Sequence, residues 1–195
     1  MEKEFNLFKK EVLRCTECSL CKTRNSVVFG EGNPYAEIFV IGEGPGHDED
    51  IQGRPFVGRS GQLLRKIFEV CGFSYEEHLF IGNIVKCRPP NNRVPSPAEK
   101  DKCLPYLLKQ ISMINPKILI ILGSTALNTL VDPEARISRV RGKWIRWRNF
   151  YVMPTYHPSA LLRNSNLKKH VWEDFKEVVM KYRKIVDPFH YSSHC

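Results

Sequence analysis

Residues 37–50 read EIFVIGEGPGHDED, a short apolar run that passes directly into glycines and carboxylates. Three other segments, LFIGNIV (79–85), KILIIL (117–122) and FYVMP (150–154), are likewise nearly continuous apolar runs. Such runs are typical of strands that are buried on both faces of a parallel sheet. The chain is therefore predicted to contain four such strands.

Helical patterns separate and follow these strands. One of them opens with SPAE (96–99), a capping box with proline at the first helical position. The four predicted helices cover residues 60–71, 96–114, 124–131 and 166–186. The alternation predicts an α/β fold, a three-layer αβα sandwich with a central four-stranded parallel sheet. We expect a single domain over residues 1–195, with a cysteine-bearing N-terminal segment, residues 1–34, packed on it.

The chain carries 30 Lys and Arg against 21 Asp and Glu, a net charge of +9. This excess favours a polyanionic partner, because each cation near a phosphate releases condensed counterions. A solvated surface kept soluble by charge would show the same balance, so charge alone does not decide. No apolar run is long enough to cross a bilayer, and the charged N-terminus has no signal-peptide core. We therefore expect a cytoplasmic protein that makes no membrane contact.

Seven cysteines in such a chain argue against a disulfide framework and favour a metal or cluster site. Cys15 and Cys18 form one CxxC spacing, and Cys87 and Cys103 form a second, distant pair. Four thiolates suit zinc or an iron–sulfur cluster, which would tie the N-terminal segment to the sheet. The alternative is that Cys87 and Cys103 are small buried hydrophobes.

The other cysteines are assigned less readily. Cys18 and Cys21 form another CxxC spacing. In one interpretation Cys21 replaces or supplements Cys18 in the site, and in the other it lies outside the site. Cys71 falls on the apolar face of a predicted helix, which indicates a core position.

In a parallel α/β sheet, ligands bind beyond the carboxyl ends of the strands. Four loops of this chain leave those ends, and they carry Glu43, Asn83, the pair Gly123-Ser124 and His157. A carboxylate, an amide, a small turn and an imidazole are therefore predicted to converge on one crevice. This convergence is stronger evidence for a site than any single residue in it.

Each of these residues also has a structural interpretation. GEGPG (42–46) is neither a Walker A loop nor GxGxxG, so a nucleotide cofactor is poorly supported. Phe56 either stacks on a flat ligand or anchors the core. Asn83 interrupts an apolar strand, where an amide is costly unless paired, and its donor and acceptor match a nucleobase edge. The acidic run HDED (47–50) is expected to be a solvated turn.

Several ordered motifs resemble the family 4 uracil-DNA glycosylases, the thermostable iron–sulfur type. They are VVFGEGNP (27–34), GEGPGHDEDIQGRPFVGRSGQLL (42–64), NIVKCRPPNNRVP (83–95), VRGKW (140–144) and HPSALLRN (157–164). The likeness covers roughly residues 10–180. It implies hydrolysis of the N-glycosidic bond of deoxyuridine in DNA, which releases uracil and leaves an abasic site in base-excision repair.

The resemblance also implies roles in base recognition and catalysis. Phe56 would stack on the flipped uracil, Asn83 would pair with its edge, and His157 would donate to its O2. Gly42 and Gly44, with the backbone of Glu43, would line the pocket. Relatives place a water-activating aspartate where this chain has Gly44, so Glu43 is the candidate for positioning water.

The remaining implications concern DNA and the cofactor. Residues expected to contact DNA are Lys86, Arg88, Ser159 and Arg163, with Leu161 or Leu162 as a wedge in the duplex. A [4Fe-4S] cluster would be held by Cys15, Cys18, Cys87 and Cys103. The expected partner is uracil-containing DNA, single- or double-stranded, bound by a monomer. The rival interpretations are a non-catalytic iron–sulfur DNA-binding module and a zinc-bound hydrolase.

Overall fold

Six strands form one mixed sheet in the computed structural model, which describes residues 2–194. In chain order they are β1 (Glu31–Gly32), β2 (Ile38–Gly42), β3 (Leu79–Asn83), β4 (Ile118–Leu122), β5 (Ile145–Trp147) and β6 (Phe150–Thr155). Their spatial order is β1-β3-β2-β4-β6-β5. The four predicted strands are β2, β3, β4 and β6, and they are parallel as expected.

The two strands absent from the prediction lie at the edges. β1 pairs antiparallel with β3, and β5 pairs antiparallel with β6. Both are only two or three residues long and are partly exposed, so neither leaves an apolar run in the sequence. The parallel centre is therefore flanked on each side by a short antiparallel strand.

Eight α-helices cover the described part of the chain. They are α1 (Glu2–Leu13), α2 (His47–Gln52), α3 (Arg59–Val70), α4 (Pro97–Ile114), α5 (Ser124–Leu130), α6 (Ile137–Val140), α7 (Pro158–Arg163) and α8 (Leu167–Ile185). Four of these, α3, α4, α5 and α8, match the predicted helices within a residue or two. The capping box of α4 forms as expected, with Ser96 Oγ accepting from the Glu99 N–H and Glu99 accepting from the Ser96 N–H.

Alternate side chains of each central strand enter different layers. In β2, Phe39 and Ile41 face a cluster that includes residues of α1, α4 and α5. Ile38 and Val40 face a second cluster formed with α3, α7 and α8. The three-layer αβα prediction is confirmed. No helix between residues 2 and 194 is long and apolar enough to cross a membrane.

The N-terminal segment joins the first of these layers. Phe5 of α1 packs edge-to-face on Phe29 and on Phe80 of β3, with ring centroids 5.5 and 5.7 Å apart. Phe8 packs on Phe29 in the same way, at 5.8 Å. These aromatic contacts bring the cysteines that follow α1 close to the sheet.

Candidate active site and thiol pocket

A cleft of about 690 Å³ opens at the carboxyl ends of the parallel strands. It lies at the end of β2, whose neighbours in the sheet are β3 on one side and β4 on the other, so the strand order reverses there. Open α/β sheets bind ligands at such a position. The loops after β2, β3, β4 and β6 all contribute lining residues, among them Glu43, Gly44, Asn83, Ser124 and His157. The structure thus brings together the residues that were predicted to converge.

Asn83 is the most informative of these residues. It is the last residue of β3, and only 2% of its surface is exposed. Its side-chain Oδ1 is buried and has no hydrogen-bond partner among the described residues. Leaving a buried polar atom unpaired costs about 1–3 kcal/mol. Asn83 is therefore organised for a ligand that completes its hydrogen bonds.

Phe56 forms an apolar wall beside this amide. Gly42 lies opposite Asn83 in the sheet, and a Cβ added to it would fall 2.5 Å from Asn83 Oδ1 and 2.7 Å from Phe56 Cζ. Phe56 itself has a φ of 53°, which is uncommon for a bulky residue. The backbone of Gly61, at the start of α3, packs on it so closely that a Cβ there would lie 1.9 Å from Phe56 O. Glycine at two positions thus lets the aromatic ring lie against the amide.

The imidazole of His157 lies near the Phe56 ring, with the ring centroids 5.9 Å apart and the planes tilted by 31°. The Ser159 main-chain N–H donates to its Nδ1 at 3.2 Å, so Nδ1 acts as an acceptor and the ring proton lies on Nε2. Burial, with a smaller contribution from Arg163, lowers the pKa of His157 to about 4. The histidine is therefore a neutral hydrogen-bond donor at neutral pH.

Glu43 supplies a carboxylate to the same cleft. Its main chain is held by the Val85 N–H, which donates to Glu43 O at 3.1 Å. The half-buried side chain lines the cleft, and no hydrogen bond or ion pair joins it to another described residue. The carboxylate is free to accept a hydrogen bond from a ligand or from water.

The prediction of a solvated acidic turn is wrong for two residues, Glu49 and Asp50, although His47 and Asp48 are exposed. Glu49 accepts the main-chain N–H groups of Val57 and Gly58 at 2.9 and 2.8 Å. Asp50 accepts the N–H groups of residues 25 and 26.

A sequence signal for Glu49 existed. It is the third residue of α2 and reaches back to the N–H of Gly46, the pattern of a helix-capping glutamate. Through Val57 and Gly58, the same carboxylate fixes the loop that presents Phe56. The burial of the Glu49 carboxylate is therefore explained by main-chain hydrogen bonds rather than by a charged partner.

Two of the six residues predicted to contact DNA line the cleft. Ser159 and the exposed Arg163 line it, and Arg88, half-exposed, donates through Nε to Asn92 Oδ1 at 2.7 Å. Leu162 is 45% exposed on α7, as a wedge residue would be.

Two predicted DNA contacts are wrong. Leu161 is 2% exposed and packs in the core beneath α7. Lys86 is also 2% exposed, and its Nζ donates to the Asn83 main-chain oxygen at 2.9 Å and to Gln110 Oε1 at 2.6 Å. Burial lowers the pKa of Lys86 to about 8. Neither side chain can reach a phosphate or a base step from the interior.

The four predicted ligand cysteines line one apolar pocket on the face of the sheet covered by α1 and α4. They are Cys15, Cys18, Cys87 and Cys103. Two N–H groups point at the sulfurs: Arg24 Nη1 lies 3.1 Å from Cys87 Sγ, and the Lys86 main-chain N lies 3.3 Å from Cys103 Sγ. An apolar pocket with thiols and N–H donors has the donor chemistry of an iron–sulfur site.

Burial raises the pKa of the Cys18, Cys87 and Cys103 thiols, that of Cys103 to about 11, whereas a bound metal requires thiolates. Within residues 2–194, no group of three or more His, Cys, Asp or Glu side chains is arranged to hold a metal ion. Cys21 lines the same pocket, and its Sγ lies 3.8 Å from Thr16 O. Cys71 is buried in the core, as predicted, and Cys195 lies outside the described residues.

Comparison with known proteins gives a consistent family match. The family model described as "Uracil DNA glycosylase superfamily" matches residues 29–176. A type-4 uracil-DNA glycosylase of Thermotoga maritima is 46% identical over 180 residues, which span 90% of this chain and 93% of that protein. A type-4 uracil-DNA glycosylase of Saccharolobus solfataricus is 48% identical over 183 residues, 89% of this chain and 84% of that protein.

Proposed function

Because this chain belongs to the uracil DNA glycosylase superfamily, we propose that it removes uracil from DNA as a type-4 enzyme of base-excision repair. It hydrolyses the N-glycosidic bond of deoxyuridine and leaves an abasic site. The observation that carries this proposal is the buried, unpartnered Oδ1 of Asn83, which lies beside the ring of Phe56 and shares its cleft with a neutral His157.

Recognition begins with extrusion of the nucleotide from the stack, which costs a few kcal/mol. Pocket contacts offset that cost. Phe56 stacks on the flat pyrimidine, and the Asn83 amide accepts from uracil N3–H and donates to O4. Gly42 leaves room for the base to lie against bare backbone, since any side chain there would occupy the space between the amide and the ring.

Cleavage of the glycosidic bond is assisted by two polar groups of the cleft, the His157 imidazole and the Glu43 carboxylate. The bond between uracil N1 and sugar C1′ breaks with its electron pair on the base, and negative charge develops on uracil O2. His157 donates its Nε2–H to that oxygen, and a preorganised donor of this kind stabilises the leaving group. A water oxygen, positioned by the free Glu43 carboxylate, bonds to C1′, and the proton that the water loses passes through solvent to the departing uracil anion.

Contacts with the DNA backbone would come from the rim. The Ser159 hydroxyl lies 2.9 Å from His157 Nδ1 and donates its proton to that nitrogen, so it has none left for a phosphate. Arg88 and Arg163 offer cations for phosphates, and Leu162 offers an apolar side chain for the gap left by the flipped nucleotide. These groups suit either a single strand or a duplex. Monomeric action and a cytoplasmic location stay predictions.

We propose further that Cys15, Cys18, Cys87 and Cys103, whose thiols all line one pocket, would hold a [4Fe-4S] cluster. Its support is the set of four thiols with the N–H donors of Arg24 and Lys86. The cluster would supply a covalent tie between the N-terminal segment, the loop after β3 and α4. None of the steps above uses it.

The test is base release without divalent metal. The protein is incubated with an oligonucleotide that contains one deoxyuridine, in EDTA, and alkali then cleaves any abasic site. We expect strand scission at the uracil position, and none with the matched thymine oligonucleotide. Absence of scission would overturn the proposal and favour a non-catalytic DNA-binding module, whereas activity that requires added zinc would favour a metal-dependent hydrolase.

A further inference from the structure

The buried ammonium of Lys86 is not explained by any step of the reaction. Charged side chains are almost never fully buried unless they are paired. Here both acceptors of the Nζ hydrogen bonds are neutral oxygens, the Asn83 main-chain carbonyl and Gln110 Oε1. A buried lysine that stabilises a carbonyl in this way requires a reason beyond folding, because an apolar side chain would fill the space without that desolvation cost.

The place of this lysine in the sheet supplies the reason. β1 pairs Gly32 with Phe80 and Glu31 with Ile81, and continuing that register places Phe29 opposite Asn83. β1 ends before that pair is reached, and the main-chain carbonyls of both residues accept hydrogen bonds from side chains instead. Gln110 donates to Phe29 O at 2.8 Å, and Lys86 donates to Asn83 O at 2.9 Å. Lys86 and Gln110 thus replace a strand at the residue whose side chain faces the cleft.

The other side of Asn83 is held by ordinary strand pairing. Gly42 lies opposite it in β2, and the next residue, Ile84, donates its N–H to Gly42 O at 2.9 Å. The orientation of the Asn83 peptide is therefore fixed by β2 on one edge and by the Lys86 ammonium on the other. A rotation of that peptide would turn the amide away from Phe56.

We propose that Lys86 is a positioning residue for uracil recognition: its ammonium, braced by Gln110, holds the Asn83 peptide so that the amide faces the edge of the base. The inference rests on the proposed function. It predicts that the contribution of Lys86 to catalysis acts entirely through the side chain of Asn83.

A double-mutant cycle tests this dependence. Single-turnover rates of uracil release are measured for the wild type, Lys86→Met, Asn83→Ala and the double variant. We expect Lys86→Met to slow the wild type by about 10- to 100-fold and to slow Asn83→Ala by less than about 3-fold, since residues that act through one another are not additive. Binding of free uracil should weaken with Lys86→Met, whereas binding of DNA with an abasic-site analogue should not.

Equal losses in both backgrounds would overturn the inference, as would equal weakening of free uracil and abasic DNA. The Lys86 N–H contacts Cys103 Sγ, so thermal melting and visible absorbance of each variant show whether the fold and the thiol pocket are intact. If Lys86→Met does not fold, Gln110→Met takes its place in the same cycle and removes only the hydrogen bond that holds the Lys86 ammonium. It should give a smaller loss of rate, which is again not additive with the loss in Asn83→Ala. If the wild type releases no uracil, the proposed function fails. If it does and the losses add, only the role of Lys86 fails.

Discussion

Ser159 donates its main-chain N–H to Nδ1 of His157 at 3.2 Å, which leaves the proton of the neutral imidazole on Nε2. Ser159 is the second residue of α7 and His157 is its N-cap, so the start of the helix itself selects the tautomer of the imidazole. Burial, which lowers the pKa of His157 to about 4, keeps the ring neutral. A neutral donor can stabilise uracil O2 without first losing or gaining a proton.

The first prediction concerns pH. Because the active form is the neutral imidazole, kcat/KM should stay nearly constant down to about pH 5 and halve near pH 4. Arg163→Gln removes a cation that lowers this pKa, so it should move the acid limb to higher pH. Repeating the profile in Glu43→Gln shows that the limb reports on the imidazole rather than on the carboxylate. A limb centred near pH 6.5 would contradict the assignment.

The free energy of unfolding should also depend on pH, and like the activity it should decrease in acid. The folded pKa of His157 lies below its ordinary value of 6.5, so on acidification the unfolded chain binds this proton first. The free energy of unfolding should therefore fall as pH drops from 6.5 to about 4. The decrease should be smaller in His157→Gln, which urea unfolding at several pH values would measure.

The second prediction ranks the cleft residues. His157→Ala and Asn83→Ala each remove a hydrogen bond to the base and should slow single-turnover uracil release by about 100- to 1,000-fold. Glu43→Gln keeps a polar group near the water and should cost about 10-fold. Wild-type activity in His157→Ala, or a larger loss in Glu43→Gln than in Asn83→Ala, would contradict the ranking.

The third prediction separates two neighbouring leucines of α7. Leu162 is 45% exposed, so Leu162→Ala should slow uracil release from duplex DNA by about 10-fold, with little change for single strands or in melting temperature. Leu161 is buried, so Leu161→Ala is the matched control and should reduce the unfolding free energy by about 2–5 kcal/mol. Equal losses of Leu162→Ala on both DNA forms would argue against a wedge.

The fourth prediction concerns the thiol pocket. Serine at Cys15, Cys18, Cys87 or Cys103 should remove most of the bound iron and the broad absorbance near roughly 400 nm, and should lower the melting temperature. Cys21→Ser is the matched control in the same pocket and should keep both the iron and the colour. If Cys21→Ser loses the colour and Cys18→Ser keeps it, then Cys21 rather than Cys18 is the ligand.

Apolar runs in the sequence were enough to predict the centre of this fold. Residues 37–42 and 117–122 alternate with amphipathic helices, and strand pairing then places Glu43, Asn83 and His157 at one edge by topology alone. β1 and β5 were missed because their pairing depends on neighbouring strands rather than on their own two or three residues.

Side-chain direction was harder to predict than position. Leu161 and Leu162 are adjacent on a short helix, so one faces the core and the other faces solvent, and composition does not distinguish them. Lys86 was predicted at the surface because lysine is normally exposed, and only the gap left by the short β1 explains its burial. The capping position of Glu49 was a signal in the sequence that was overlooked. The burial of Asp50 could not be predicted in this way, because its partners, the Asn25 side chain and the main-chain N–H groups of residues 25 and 26, are distant in sequence.

The thiol pocket also restricts the order in which the chain can mature during synthesis. Cys15 and Cys18 leave the ribosome well before Cys103, which lies inside α4. Until α4 has emerged, the pocket lacks one wall, and α1 with its aromatic face has only part of its packing surface. The nascent chain therefore exposes Phe5 and Phe8 at the stage when unfinished proteins aggregate most readily or recruit chaperones.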